Sequence, residues 1–285
     1  VKDFLALART SWKKPVRYVL MLGDASYDPK NYLGVGDFDL VPTRLVDTTF
    51  METASDDWLT DFDGDGIADI PIGRLPVRTA AEAALMIAKI ADYQESNAGD
   101  EALLVSDLND GVDFELLSEQ LIPLIPRQMR VTHLKRAQMG DEGTHVALME
   151  LIGRGQRIVN YNGHGNVDLW RGVFNAADAL ELTNEKQLAM FVIMDCLNGY
   201  FHDPVLDSLA EALLKARGGA VAVWASSAMT YAEAQAPINA EFYRQVFAGS
   251  PTRLGDAAVR AKAATADVDV RRSWVLFGDP TMRLK

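Results

Sequence analysis

The chain has 285 residues, 48% of them apolar, enough to bury a large core in one domain or two close-packed ones and too apolar for disorder. No run approaches the roughly 18 apolar residues of a membrane span, and 40 acidic against 28 basic side chains, a formal charge of −12, oppose a nucleic-acid-binding surface. The single cysteine, Cys196, excludes an internal disulfide and a multi-cysteine zinc site; it is either a small buried apolar side chain or a reactive thiol.

The first residues, Val1-Lys2-Asp3-Phe4-Leu5, show neither an initiator Met nor the series of a signal peptide, so a fragment or processed form is expected. Residues 18–22 form the first continuous apolar run. An Asp-rich loop follows at 61–69, and Thr79-Ala80-Ala81-Glu82 is a capping box that opens a helix through Leu85, Ile87, Ile90 and Tyr93. The stretch from Asn97 to Gly111, rich in Asp, Asn and Gly, is the expected boundary between an N-terminal sub-domain (1–100) and a catalytic one (101–285), with one sheet on each side. Further apolar runs lie at 102–105, 158–161, 191–194, 220–224 and 274–277. Each is continuous rather than alternating, as in strands covered on both faces. A second capping box, Ser208-Leu209-Ala210-Glu211, opens a helix that Gly218-Gly219 stops before the next strand. Strand and helix alternate, which predicts an α/β fold with a doubly wound, mostly parallel sheet.

The loop Asp61-Phe62-Asp63-Gly64-Asp65-Gly66-Ile67-Ala68-Asp69 has carboxylates at alternate places and Gly at the sixth, the first part of a calcium loop. Ile72 stands at the twelfth place and offers no carboxylate, so Asp56, Asp57 or waters would complete the shell. Asp61, Asp63, Asp65 and Asp69 are therefore candidate ligands for a structural Ca²⁺; the other reading is an Asp-Gly turn network without metal.

Two runs end in chemistry. Residues 158–161 lead into Asn162-Gly163-His164-Gly165, and 191–194 lead into Asp195-Cys196-Leu197-Asn198-Gly199. Ligands in open α/β sheets sit beyond the carboxyl ends of the strands, and neighbouring strands lie about 4.8 Å apart. If the two strands are adjacent, His164 and Cys196 meet at one sheet edge. A thiolate is the nucleophile of acyl transfer and an imidazole its base. The N–H groups of Gly165 and Cys196 are then candidate donors to the oxyanion. The spacing alone is equally compatible with turn glycines, a solvated His and a core Cys.

The segment 161–165 with Trp170, the segment 195–201, the run Leu209-Ala210-Glu211-Ala212-Leu213 and the sequence from Gly219 to Ser227 all resemble motifs of the gingipain family of cysteine peptidases. Leu22-Gly23-Asp24, Ile72-Gly73-Arg74 and the terminal Trp274-Val275-Leu276-Phe277-Gly278-Asp279-Pro280 are similar to further family landmarks, in order along the chain. Gly199, three residues after Cys196 rather than two, departs from the caspase signature. The resemblance implies a caspase-like catalytic domain and a cysteine endopeptidase that forms an acyl-thioester at Cys196. It implies a protein or peptide substrate, cleavage after Arg or Lys, an extracellular or cell-surface location, and further domains in a longer exported chain. For a basic residue the family's pocket carboxylate corresponds in place to Asp113, with Asp107 and Asp110 as competitors, all three reading equally well as solvated loop acids, and Tyr231 stands where an aromatic covers the pocket. Asp195 is placed to orient His164 or to contact its own loop. The alternative function is a catalytically silent caspase-like module for binding or secretion. His133, His145 and His202 read as surface or satisfied polar residues, with cleft lining as a second reading for His202, and Trp58, Trp170, Trp224 and Trp274 read as core.

Overall fold

A computed structural model describes residues 1–96, 99–250 and 252–285. In chain order the elements are α1 (Lys2–Ser11), β1 (Val19–Leu22), β2 (Arg44–Asp47), β3 (Glu52–Ser55), β4 (Ile72–Leu75), α2 (Ala80–Glu95), β5 (Glu101–Ser106), α3 (Phe114–Glu119), β6 (Arg130–Lys135) and α4 (Arg136–Gly153). They continue with β7 (Ile158–Asn162), β8 (Gly165–Asn166), β9 (Leu169–Trp170), β10 (Phe174–Asn175), α5 (Ala176–Leu180), β11 (Ala189–Met194) and α6 (Leu209–Lys215). The chain closes with β12 (Ala220–Ser226), α7 (Ala232–Val246), α8 (Leu254–Ala263), α9 (Val268–Ser273) and β13 (Trp274–Phe277).

All six apolar runs become strands of one eight-stranded sheet, in the order β1-β4-β13-β12-β11-β7-β5-β6. β12, β11, β7, β5 and β6 run parallel to one another, and β13 lies antiparallel to β12 and parallel to β4. The sheet is thus two parallel blocks joined at β12 and β13. One sheet, not the expected two, holds strands from both sides of residue 100, because the C-terminal strand β13 inserts between β4 and β12. Of that boundary stretch, Asn97 and Ala98 lie outside the described residues.

Successive side chains of the central strands enter opposite cores. Leu103, Val105, Val159, Tyr161, Phe191 and Ile193 face α2, α4 and α6 through Met86, Leu148, Ile152 and Leu213. Leu104, Ile158, Met190 and Val192 face α7 and α8 through Ile238, Phe242, Ala257 and Ala261. This double burial explains the unbroken apolar runs. The fully buried Val192 and Ile193 each contribute about 1.5–3 kcal/mol. Both expected capping boxes form, Thr79 with Glu82 on α2 and Ser208 with Glu211 on α6.

The landmark Ile72-Gly73-Arg74 has a packing cause. A Cβ on Gly73 would lie 2.3 Å from the Gly278 carbonyl, so glycine alone lets β4 meet the exit of β13. Arg74, with no exposed surface, pairs with Asp56 at 2.6 and 2.7 Å and donates to the carbonyls of Gly23 and Val41. Asp57 is likewise engaged, by the buried Lys262. Strand β6 was not apparent in the sequence, since Arg130-Val131-Thr132-His133-Leu134-Lys135 is a polar, half-buried edge.

Candidate active site

The parallel strands β7 and β11 are neighbours, with Asn162 opposite Met194 in the final registered pair. Each chain then leaves the sheet and, two residues later, presents His164 or Cys196. The juxtaposition required of the two loops is therefore built into the strand register. A Cβ on Gly163 would sit 2.4 Å from the Tyr161 hydroxyl and 2.5 Å from Asp107, so only glycine passes there.

His164 is held on every polar side but one. Its Nε2 lies 2.9 Å from Asp110 Oδ1, and its backbone N–H donates to Asp107 Oδ2 at 3.0 Å. Its carbonyl accepts from the Arg171 N–H and the Tyr161 hydroxyl, both at 2.9 Å. Phe114 packs edge-on against the ring at 5.2 Å. Hydrogen bonds from His164 and then Arg171 hold the Asp110 carboxyl below the usual range. With Nε2 tied to Asp110, Nδ1 is the ring nitrogen left without a hydrogen-bond partner among the described residues.

Gly165 begins a hairpin in which it pairs with Trp170 and Asn166 with Leu169. The next pair out, His164 and Arg171, is hydrogen-bonded, so by antiparallel alternation Gly165 belongs to a non-bonded pair and its N–H lies on the free edge. The hairpin packs closely on the cysteine loop at this glycine: a Cβ on Gly165 would fall 2.0 Å from Asp195 Oδ2 and 3.1 Å from the Cys196 carbonyl. Asn198 ties the two loops together, donating through Nδ2 to the carbonyls of Asn166 and, at 3.2 Å, Leu169.

Cys196 is half-buried, and its Sγ lies 3.7 Å from the Thr230 carbonyl. Burial pushes the thiol up from its ordinary value, so the resting group is a neutral thiol. Among the described residues the Cys196 N–H has no acceptor. The following residue, Leu197, is held at φ 69°, a left-handed conformation that costs a side-chain-bearing residue about 1–3 kcal/mol and makes the turn sharp at the thiol.

The other expected residues fall in different places. Asp195 does not reach His164 and does not bond its own loop: among the described residues neither of its oxygens has a partner. Burial, then the Asp107 charge, raise its carboxyl well above the usual range. Asp107 is buried in ion pairs with Arg136 and Arg171, at 2.6 and 3.0 Å. Asp113 is exposed and caps α3, its Oδ1 accepting from the Leu116 N–H and Asn109 Nδ2, both at 2.9 Å. Tyr231, next to Thr230, is exposed and packs on Phe50 at 5.2 Å. Phe50 lies at the turn between β2 and β3, a hairpin that Ser227 fastens beside the site through the Ala54 carbonyl at 2.7 Å. His202 does not line the cleft as an ionisable group; it is buried among Tyr27, Tyr200 and Phe201, and burial lowers it to about 3. Trp58, expected in the core, is partly exposed beneath Lys2 and Arg44, whereas Trp170, Trp224 and Trp274 are buried.

In the Asp-rich loop, Asp61, Asp63 and Asp65 each offer an oxygen within 4.8 Å of the others. Gly64 and Gly66, at φ 81° and 83°, make the turns that gather them. Asp69 is not in the cluster: it pairs with Arg9 at 2.9 Å and accepts from the Phe62 N–H. Asp56 is engaged on both oxygens, by Arg74 and Thr43, and Asp57 on Oδ2 by Lys262; neither belongs to the three-carboxylate cluster.

The mostly parallel sheet with helices on both faces, and a thiol-bearing loop at a central strand end, is an arrangement that caspase-like cysteine peptidases share. The model of peptidase family C25 matches residues 1–285, and the chain belongs to that family and is a cysteine peptidase. Among solved structures it is similar to the Arg-specific cysteine proteinase gingipain R, with 20% identity and a TM-score of 0.84 over 100% of this chain and 68% of that one. It is similar to the complex of Porphyromonas gingivalis RgpB pro- and mature domains (19% identity, TM-score 0.83, covering 100% and 69%). The Saccharomyces cerevisiae separase–securin complex shares the fold more distantly, with 12% identity and a TM-score of 0.54 over 74% of this chain and 14% of that one. No curated protein sequence matches.

Proposed function

We propose that the protein is an endopeptidase in which Cys196 is the nucleophile and His164 the base. The observation that carries this reading is the register of β7 and β11, which delivers both residues two positions beyond one paired strand end. In this mechanism Sγ attacks the scissile carbonyl as its proton passes to His164 Nδ1, and the oxyanion rests against the N–H groups of Gly165 and Cys196. The C–N bond breaks as the imidazolium returns the proton to the leaving amine. A water, deprotonated by the same imidazole, then hydrolyses the thioester and restores the thiol. Asp110 keeps the proton on Nε2 and orients the ring, the part of the third group in a triad.

The pocket in this reading has Tyr231 and Phe50 as its wall. Cleavage after Arg or Lys draws on Asp113, which is exposed but already gives one oxygen to the α3 cap, so the wall has firmer support than the charge. Asp61, Asp63 and Asp65 would hold a structural Ca²⁺, which suits clustered carboxylates and an incomplete site filled at extracellular calcium levels. Cys196→Ala and His164→Ala test the dyad directly. Each should lower hydrolysis of a denatured protein substrate at least about 10³-fold with the melting temperature retained. Cleavage persisting in Cys196→Ala overturns the assignment.

A further inference from the structure

The hydrogen bonds around His164 close into a ring that passes through Asp110, Arg171 and Asp107. The ring nitrogen Nε2 meets Asp110 Oδ1 at 2.9 Å, and Asp110 Oδ2 meets Arg171 Nη1 at 2.9 Å. Arg171 Nη2 meets Asp107 Oδ2 at 3.0 Å, and the same oxygen accepts the His164 backbone N–H at 3.0 Å. The Arg171 N–H closes a second loop by donating to the His164 carbonyl at 2.9 Å. One guanidinium thus bridges the carboxylate that fixes the imidazole and the carboxylate that fixes its backbone.

We infer that Arg171 is a positioning residue for His164, acting through Asp110. This inference rests on His164 being the base. The need for such a device is visible in the burial. Asp107 is fully buried and immobile, whereas Asp110 and the imidazole are about half exposed. Left with His164 alone, Asp110 would be a solvated carboxylate on a surface loop, worth little as an orienting partner. The planar fork of Arg171 transfers the rigidity of Asp107 to Asp110. A lysine carries the charge but, as a point donor, cannot hold both carboxylates in the same geometry. Arg136 secures the other end of the frame, pairing with Asp107 at 2.6 Å and with Asp141 at 2.7 Å.

The charged groups around His164 are Asp110 on the imidazole, Asp107 on its backbone N–H and Arg171 on both carboxylates, with Cys196 and the buried Asp195 on the adjoining loop. Removing Arg171 deletes the one cation among them that directly touches Asp110, so the imidazolium is favoured and the acid limb of kcat/KM should move to higher pH. Displacement of the ring should also lower kcat by about 10- to 100-fold with KM little changed.

The experiment measures kcat, KM and the pH profile of hydrolysis for wild type, Arg171→Met, Arg171→Lys and His164→Ala, with melting temperatures. The expected result is a kcat-borne loss in Arg171→Met with the shifted acid limb, partial recovery in Arg171→Lys, and loss of activity in His164→Ala. Wild-type kcat and an unmoved limb in Arg171→Met, with His164→Ala inactive, would overturn the role of Arg171 alone. Full activity in His164→Ala would instead remove the dyad reading on which it stands. An equal loss in Arg171→Met and Arg171→Lys with an unmoved limb and a lowered melting temperature would show a merely structural contact, also against the inference.

Discussion

Two acidic loops of this protein solve the problem of crowded carboxylates differently. Around His164, Asp107 and Asp110 are matched by Arg136 and Arg171, so the charges are compensated from within and the carboxylates serve as rigid acceptors. In the loop at 61–69, Asp69 alone has a carboxylate ion pair among the described residues, with Arg9. Asp61, Asp63 and Asp65 converge with no ion pair to their carboxylates among the described residues: Arg271 Nη1 reaches only the Asp65 carbonyl, at 3.4 Å, and backbone N–H groups such as those of Gly64 and Gly66 bond Asp61. The first cluster is neutralised by its own arginines; in the proposed reading the second would be neutralised by an external cation.

The largest effect should come from opening the first cluster. Asp107→Ala strands Arg136 without its buried partner and frees the His164 N–H, and should destabilise the fold by about 3–5 kcal/mol in chemical denaturation. A change below 1 kcal/mol would mean that Asp107 is not a structural anchor. The second cluster should respond to metal. Saturating Ca²⁺ should raise the melting temperature by about 5–10 °C, and Asp61→Asn should abolish the increase. The same melting temperature in calcium and in chelator would make the loop a turn network. The smallest effect concerns Asp110. Its carboxyl is lowered in the fold by His164 and Arg171, so its contribution to stability is complete above the ordinary Asp value near pH 4 and is lost as pH falls through the lowered value. Asp110→Asn should therefore melt slightly below wild type at pH 7, a gap that closes in strong acid. A gap that widens on acidification would contradict the sign.

The same contrast explains what the sequence revealed. Apolar runs covered on both faces locate six strands, and the residues at their carboxyl ends, His164 and Cys196, are legible because sheet topology dictates where ligands sit. Asp110, Arg171, Asn198 and Phe50 were not assigned these roles, because each acts across a long separation that no local pattern encodes. Asp110 reaches His164 over 54 positions, and Phe50 meets Tyr231 from a hairpin far upstream. The expectation of two sheets failed for a similar reason: β13 joins strands that lie some 200 residues earlier, through one registered pair between Phe277 and Arg74. Asp113 illustrates a third limit. Its position before an apolar helix is equally the signature of a cap, and capping is what the structure shows it doing.

The most direct test of the dyad is peptide mapping by mass spectrometry after brief treatment with a peptidyl electrophile directed at cysteine peptidases, in wild type and His164→Ala, with calcium supplied. If Cys196 is activated by His164 during attack, wild type should carry one adduct, on Cys196, and the variant should label at least about 100-fold more slowly. Equal labelling rates in the two proteins, or no adduct with any member of a panel spanning basic and apolar residues, would contradict the assignment of His164 and Cys196.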